Sequence, residues 1–118
     1  MRYGFAFLLA VSVLWKASAV DAPGKELFER RCTGCHAIDR DKGGPRLSGV
    51  YGRRAGSLAS FTYSESLRKS GVVWDRATLD RWLANPESVA PDNDMPFRLA
   101  DERERTAIIE YLRQISPK

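Results

Sequence analysis

Histidine and cysteine are scarce in this sequence, which holds one histidine and two cysteines among 118 residues. A structural zinc site takes four cysteine or histidine ligands, so the whole chain is one ligand short of such a site. Methionine occurs only at Met1 and Met95. Each of these few metal-binding side chains is therefore informative by itself.

The apolar run from Tyr3 to Trp15 is shorter than the ~20 residues that a membrane-spanning helix needs. It follows Met1-Arg2 and precedes Ala17-Ser18-Ala19. A basic start, a short apolar run and small residues in A-x-A spacing are typical of a secretory signal peptide. We predict a signal peptide over residues 1–19 that is cleaved after Ala19, in preference to a retained membrane anchor.

The sequence also lacks repeats, low-complexity tracts, domain linkers and dense clusters of lysine and arginine. Residues 20–118 carry 17 basic and 15 acidic residues, a net charge of +2. We therefore predict one domain over residues 20–118, with no nucleic-acid partner. A domain of this size has little apolar material for a core, so a bound prosthetic group would help to stabilise it.

Helical periodicity, capping residues and helix-ending residues predict an all-α chain. The C-terminal helix is the clearest, because Asp101 and Glu104 form a capping pair and an apolar face follows at helical spacing. The segments Asp39–Ser60 and Glu87–Leu99 show no period and are predicted to be long loops. The predicted helices are Pro23–Arg31 capped by Asp21, Ser64–Lys69 closed by Gly71, a helix that begins after Asp75 and ends at Asn85-Pro86, and the C-terminal helix with Ile108, Tyr111, Leu112 and Ile115 on one face.

The segment Cys32-Thr33-Gly34-Cys35-His36 has the C-x-x-C-H pattern that attaches a c-type haem. Cysteines at this spacing lie on one helical turn and can form thioethers with the two vinyl groups. The adjacent histidine can then bind the iron. We predict one covalent haem c held by Cys32, Cys35 and His36.

Other interpretations of the two cysteines are less consistent with the sequence. A disulfide oxidoreductase places C-x-x-C in a βαβ unit, and no strand pattern precedes Cys32. A structural disulfide between Cys32 and Cys35 stays open as an alternative, although it would close too small a loop to stabilise much. Haem attachment is the favoured interpretation.

Met95 is the only thioether left once residues 1–19 are removed. It lies in the Pro91–Phe97 segment, a proline-flanked loop that could bring a side chain to the far side of a haem. We predict that Met95 is the second axial ligand, opposite His36. The alternative is a methionine that only fills the core.

With these motifs in place, residues 23–115 resemble class I cytochromes c of the mitochondrial and bacterial c2-like branch. The resemblance implies a small all-α fold with long loops around one haem, in which the N- and C-terminal helices cross through Gly24, Phe28 and the apolar face of the last helix. The matching positions are Gly24, Phe28, Cys32-Thr33-Gly34-Cys35-His36, Gly43-Gly44-Pro45-Arg46-Leu47, Gly49-Val50-Tyr51-Gly52-Arg53, Phe61-Thr62-Tyr63, Trp74, Leu83-Ala84-Asn85-Pro86, Met95-Pro96-Phe97 and Tyr111-Leu112.

The same resemblance assigns roles to four further residues around the haem. The Pro45 carbonyl would accept a hydrogen bond from the His36 imidazole and fix its orientation. Arg53, Tyr63 and Trp74 match positions that hydrogen-bond or pair with a buried propionate. Without a haem, these three would be an ordinary surface charge and two core aromatics.

Three features depart from many relatives. Trp82 stands where many have a tyrosine that bonds toward the methionine sulfur, and Leu67 stands where many have a polar residue. Both changes predict that the side of the haem facing Met95, called the methionine side below, is more apolar than in those relatives. The loop between His36 and Pro45 is shorter than in mitochondrial members, which, with the export signal, predicts a bacterial periplasmic protein.

The resemblance implies a monomeric single-electron carrier, not an enzyme, that docks an oxidase, reductase or dehydrogenase at an exposed haem edge. A dedicated cytochrome subunit of a dehydrogenase is one alternative, and a haem peroxidase or gas-binding protein with a labile Met95 is another. The basic side chains predicted to border the haem edge, unless they are ordinary solvated charges, are Lys25, Lys42, Arg46 and Arg98.

Overall fold

The computed structural model describes residues 4, 12 and 22–117, so the predicted cleavage site and the Asp21 cap lie outside the described residues. Within this part of the chain the only β-type pairing is an isolated antiparallel bridge between Arg54 and Val73. None of the helices described here is both long and apolar enough to span a bilayer. The all-α prediction is confirmed. The helices are α1 (Ala22–Arg31), α2 (Glu65–Lys69), α3 (Arg76–Ala84), α4 (Pro86–Val89) and α5 (Glu102–Gln114).

The first and last helices, α1 and α5, cross tightly, as the resemblance implies. Gly24 lies directly against α5, where a Cβ would overlap the Ala107 carbonyl oxygen and lie 3.0 Å from the Tyr111 Cβ. One turn further along, the rings of Phe28 and Tyr111 pack with centroids 5.3 Å apart. The absence of a side chain at Gly24 therefore permits the crossing.

The N-terminus of α5 is capped only partly as predicted. The Asp101 carboxylate accepts hydrogen bonds from the backbone N–H groups of Arg103 and Glu104. Glu104 does not return the bond in a capping box, because its carboxylate pairs with the Arg31 guanidinium of α1 at 3.2 Å. An ion pair between α1 and α5 thus takes the place of the hydrogen bond that the Glu104 side chain was expected to accept at the N-terminus of α5.

The chain after α3 differs from the prediction, because part of the predicted loop is helical. Asn85 is extended and ends α3, as its place before a proline predicts. Pro86 then begins a short helical turn, although the Glu87–Leu99 segment was predicted to be loop throughout. Proline suits the first position of a helix because its φ is already helical and the missing N–H needs no partner there. Residues 90–101 are non-helical.

The core lies between the α1–α5 crossing, α3 and the segment of residues 47–74, which includes α2. α3 packs against both α4 and α5. A backbone hydrogen bond from Leu47 N to Ala37 O, 3.1 Å, connects this segment to the residues after the C-x-x-C-H turn, and one from Gly52 N to Trp74 O, 2.6 Å, joins its two ends. The largest buried side chains are those of Phe28, Leu67, Trp74, Leu79, Trp82, Leu83, Leu99, Ile108, Ile109, Tyr111 and Leu112.

Candidate cofactor-binding site

One cavity of about 320 Å³ opens into this core. Its volume falls in the ~300–1,000 Å³ range of sites that bind small molecules and cofactors. Its walls are mostly apolar side chains from α1, α2, α3, α5 and the intervening loops. The structure brings all eight residues expected to contact the cofactor to this cavity: Cys32, Cys35, His36, Pro45, Arg53, Tyr63, Trp74 and Met95.

The C-x-x-C-H segment continues the backbone pattern of α1 for one more turn. Cys32 N donates to Phe28 O at 2.9 Å, and His36 N donates to Cys32 O at 2.8 Å. The two thiols are free, with Cys32 half-buried and Cys35 exposed. Burial, reinforced by the neighbouring Cys35, raises the pKa of the Cys32 thiol to about 11. The structure thus contains no disulfide between these cysteines, and both border the cavity.

The His36 ring is fixed by a hydrogen bond to the Pro45 carbonyl oxygen, 2.8 Å from Nδ1. Because a carbonyl can only accept, Nδ1 carries the proton and Nε2 keeps its lone pair. Burial lowers the pKa of the imidazole, the Pro45 carbonyl opposes this shift, and the Lys42 charge adds to it. His36 therefore presents the neutral imidazole that a metal ligand requires.

Gly44 lies against the His36 ring. A Cβ at this position would overlap the ring atoms, with Nδ1 only 2.7 Å away. Gly44 N also donates to Cys35 O at 2.8 Å, which holds this segment against the C-x-x-C-H turn. In the sequence, Gly44 is noticeable only as part of the family resemblance. Its contact with the His36 ring shows why a residue without a side chain is needed there.

Met95 is held in its loop by contacts at both ends of the residue. Its backbone N–H donates to the Asn93 Oδ1 at 2.8 Å, and its Sδ accepts a hydrogen bond from the Trp82 indole Nε1 at 3.1 Å. Asn93 is anchored in turn by the Glu87 carboxylate, 3.1 Å from its Nδ2. The sequence analysis assigned no role to Asn93. An asparagine whose side chain accepts from the backbone N–H two residues later forms an Asx turn, and asparagine in a loop is a typical turn signal.

The expectation of a more apolar methionine side is wrong for Trp82 and fits Leu67. The indole of Trp82 is buried, yet its N–H is directed at the Met95 sulfur. Leu67 lines the same cavity and brings no polar group. The methionine side therefore keeps one hydrogen-bond donor, because an indole carries an N–H within an otherwise apolar ring.

Arg53 and Tyr63 place polar groups at the cavity. The Arg53 guanidinium donates to the carbonyl oxygens of Ser48 at 3.2 Å and Arg46 at 3.0 Å. Burial lowers the pKa of Arg53 and raises the pKa of Tyr63. Arg53 stays charged and Tyr63 stays neutral near neutral pH, so together with the Trp74 indole they offer a carboxylate positive charge and hydrogen-bond donors.

None of the four basic residues proposed to border the cofactor lines the cavity itself. Lys42, Arg46 and Arg98 each follow or precede a lining residue in the chain, whereas Lys25 lies in the first turn of α1. The Lys42 ammonium is 2.9 Å from the Thr33 carbonyl oxygen, beside the C-x-x-C-H turn. Asp94 lines the cavity and adds a negative charge at its edge.

The donor set fits a covalent haem and not a metal ion bound by side chains alone. In residues 22–117 no three histidine, cysteine, aspartate or glutamate side chains are grouped as metal ligands. Two free cysteines, a neutral imidazole and a thioether instead border one apolar cavity. These are the groups that thioether attachment and axial ligation of a haem require.

Comparison with known proteins places the chain in one family. The family model "Cytochrome c" matches residues 22–116. Cytochrome c2 iso-2 of Magnetospirillum fulvum is 44% identical over 87 residues, which cover 71% of this chain and 91% of that protein. Cytochrome c2 of Rhodomicrobium vannielii is 34% identical over 113 residues, covering 89% and 90% of the two chains.

A solved structure agrees with the sequence relatives. Cytochrome cH from Methylobacterium extorquens superposes with a TM-score of 0.75 at 36% identity, covering 80% of this chain and 97% of that one. Both the sequence and the fold of this chain therefore match those of cytochromes c. The chain also has the crossed helices, the cavity and the cysteine pair described above. The chain belongs to the cytochrome c family, and it is an electron carrier with covalently attached haem c.

Proposed function

We propose that this cytochrome is a diffusible one-electron carrier in which His36 and Met95 are the two axial ligands of a haem attached through Cys32 and Cys35. The observation that carries the proposal is that the only imidazole of the chain and the only thioether after Met1 border the same cavity. When bound, the haem supplies an iron that gains or loses one electron.

Both proposed ligands are held by hydrogen bonds to other residues of the chain. The Pro45 carbonyl orients His36, and Asn93 together with Trp82 orients Met95. Preorganised ligands favour a coordination that changes little between oxidation states, which suits electron transfer. With both residues as ligands, no coordination position on the iron would remain open for peroxide or a gas, which favours a carrier over a peroxidase or gas-binding protein.

We infer that Arg53, Tyr63 and Trp74 bind a haem propionate. The three residues border the cavity, and Arg53 is half-buried with two of its N–H groups already bonded to carbonyl oxygens. A buried carboxylate is costly unless it is paired and hydrogen-bonded, and this group supplies both a charge and donors. The propionate would in turn compensate the charge of the half-buried guanidinium.

The proposal is tested by replacing the thioether. Met95→Ala should produce a protein that still contains covalent haem, binds carbon monoxide when reduced, and has a lower reduction potential, since thioether ligation favours ferrous iron. Visible spectra with and without carbon monoxide, together with redox titration, measure this. Val73→Ala, an exposed position outside the cavity, is the control and should behave as wild type. An unchanged low-spin spectrum in Met95→Ala would refute the assignment.

We also propose that the carrier works in the periplasm as a monomer that docks its redox partners transiently, rather than as a fixed subunit of a dehydrogenase. The predicted signal peptide of residues 1–19 supports this location, and Ala17-Ser18-Ala19 would supply the small residues before the cut. Expression in a bacterial host should give a mature chain that begins at Val20. N-terminal sequencing that finds Met1 on the periplasmic protein would contradict the prediction.

A further inference from the structure

The peptide group between Pro45 and Arg46 makes a hydrogen bond at each of its two polar atoms. Its carbonyl oxygen accepts from the His36 Nδ1–H at 2.8 Å, and its N–H donates to the Asp41 Oδ1 at 2.9 Å. A carbonyl and an N–H that share one C–N bond belong to a single conjugated unit. The Asp41 carboxylate, the Pro45–Arg46 peptide and the His36 ring are therefore joined in one hydrogen-bonded chain.

Backbone hydrogen bonds on either side of the Pro45–Arg46 peptide hold it in place. Gly44 N, just before it, donates to Cys35 O at 2.8 Å, and Leu47 N, just after it, donates to Ala37 O at 3.1 Å. Both acceptors are direct neighbours of His36 in the chain. The peptide is therefore held between two contacts with the segment that carries the imidazole.

The Asp41 carboxylate is half-buried and ionised near neutral pH. The Arg46 N–H and the Ser60 hydroxyl hold the pKa of Asp41 below its usual range, and partial burial opposes the shift. A hydrogen bond to an ionised acceptor is roughly twice as strong as one between neutral groups. Asp41 thus brings a negative charge to the N–H end of the Pro45–Arg46 peptide.

This charge changes what the histidine can offer to a metal. Hydrogen bonds in a chain polarise one another, by about 10–30% per bond. A carboxylate at the N–H end shifts electron density toward the peptide carbonyl oxygen, which then attracts the imidazole proton more strongly. An imidazole with a more strongly held Nδ1 proton is a better donor through Nε2. A stronger axial donor stabilises ferric iron more than ferrous iron, and the reduction potential falls.

We propose that Asp41 is a positioning residue that strengthens His36 as an iron ligand through the Pro45–Arg46 peptide and thereby lowers the reduction potential. This inference rests on the proposed ligation by His36. The peptide carbonyl orients the imidazole ring, and the carboxylate behind it sets how strongly the ring donates.

The test replaces Asp41 by asparagine, whose side-chain oxygen can still accept from the Arg46 N–H but carries no charge. The potential of Asp41→Asn should rise by the equivalent of a roughly two- to fivefold increase in the ferrous-to-ferric ratio at a fixed ambient potential, where a tenfold change is about 59 mV. This is less than the roughly 10–100-fold effects of groups bonded directly to a metal ligand, because a peptide lies between. Redox titration of the holoprotein measures the change.

Asp39→Asn is the matched control, because it removes the same charge from the same segment. The Asp39 side chain is 82% exposed and lies 3.6 Å from the Arg40 guanidinium, so its potential should stay close to that of wild type. The effect of Asp41→Asn should persist in about 1 M salt, where the Debye length is ~3 Å. An equal effect in Asp39→Asn, or one that disappears in high salt, would indicate a charge acting through space and would overturn the role of the peptide.

A second measurement reports on the imidazole itself. In the ferrous low-spin protein, the His36 Nδ1–H proton resonance should lie further downfield in wild type than in Asp41→Asn, because a stronger hydrogen bond deshields its proton. Asp39→Asn should match wild type. Equal resonances in all three proteins would overturn the proposal. A wild type without a low-spin spectrum would refute the ligation and this inference with it, whereas a low-spin wild type whose potential is unchanged in Asp41→Asn would refute this inference alone.

Discussion

Two adjacent glycines show how single residues shape the proposed iron site. Gly44 is buried against the His36 ring, and the Pro45 carbonyl fixes that ring through its hydrogen bond with Nδ1. A side chain at position 44 would have to displace the ring or break the hydrogen bond. Gly43 has more room, because the nearest atom to its added Cβ is the Cys35 oxygen at 3.8 Å.

Gly44→Ala should lower the yield of holoprotein and shift the low-spin spectrum, because the new methyl group forces the imidazole out of its orientation. Quantitative haem staining and visible spectroscopy measure both effects. Gly43→Ala is the matched control and should stay close to wild type, since neither glycine has a positive φ that an alanine would strain. Equal behaviour of the two variants would contradict the steric argument.

At the scale of elements, the contact between α1 and α5 positions the haem-binding segment. The C-x-x-C-H turn continues directly from α1, so the orientation of α1 sets the orientation of His36. The Arg31–Glu104 pair lies at this interface with 49% and 23% of the two side chains exposed, so we assign little stability to it. Close packing at Gly24 is the stronger constraint.

Gly24→Ala should lower the free energy of unfolding by about 1–3 kcal/mol, the usual cost of overpacking, because its methyl group meets the backbone of Ala107. Denaturant titration of the holoprotein measures the change. Glu26→Ala, an exposed position on the same helix, should change stability by less than about 0.5 kcal/mol. A Gly24→Ala variant as stable as wild type would mean that the crossing is less tight than the structure shows.

At the scale of the whole molecule, the charge around the cavity decides how partners approach. The net charge of residues 20–118 is only +2, but Lys42, Arg46 and Arg98 each adjoin a residue of the cavity wall. Redox encounters use small interfaces, typically below ~1,200 Å². Complementary charge then acts mainly on the association rate.

Electron transfer to an acidic redox protein should therefore slow as salt is raised, because charges more than ~8 Å apart are largely screened at physiological ionic strength. Lys42→Glu with Arg98→Glu should lower the second-order rate at low salt. Lys69→Glu with Arg103→Glu makes the same change in net charge at two positions that do not adjoin a residue of the cavity wall, and it should have a smaller effect. A flat salt response with unchanged rates in the first double variant would rule out basic steering.

The sequence alone determined the features that depend on short stretches of chain. The C-x-x-C-H spacing predicted the cofactor because its chemistry needs only one helical turn. The periodic and capped segments predicted α1, α2, α3 and α5, since hydrogen bonds in a helix are local. The scarcity of histidine and methionine reduced the candidate axial ligands to His36 and Met95.

The tertiary structure decided what depends on contacts between distant residues. Trp82 was expected to make the methionine side more apolar, and only the packing of α3 against the Met95 loop directs its N–H at the sulfur. Glu104 was expected to cap its own helix, and only the α1–α5 crossing supplies Arg31 as a partner. A side chain's type fixes which bonds it can form, whereas the positions of its neighbours in space fix which of those bonds it makes.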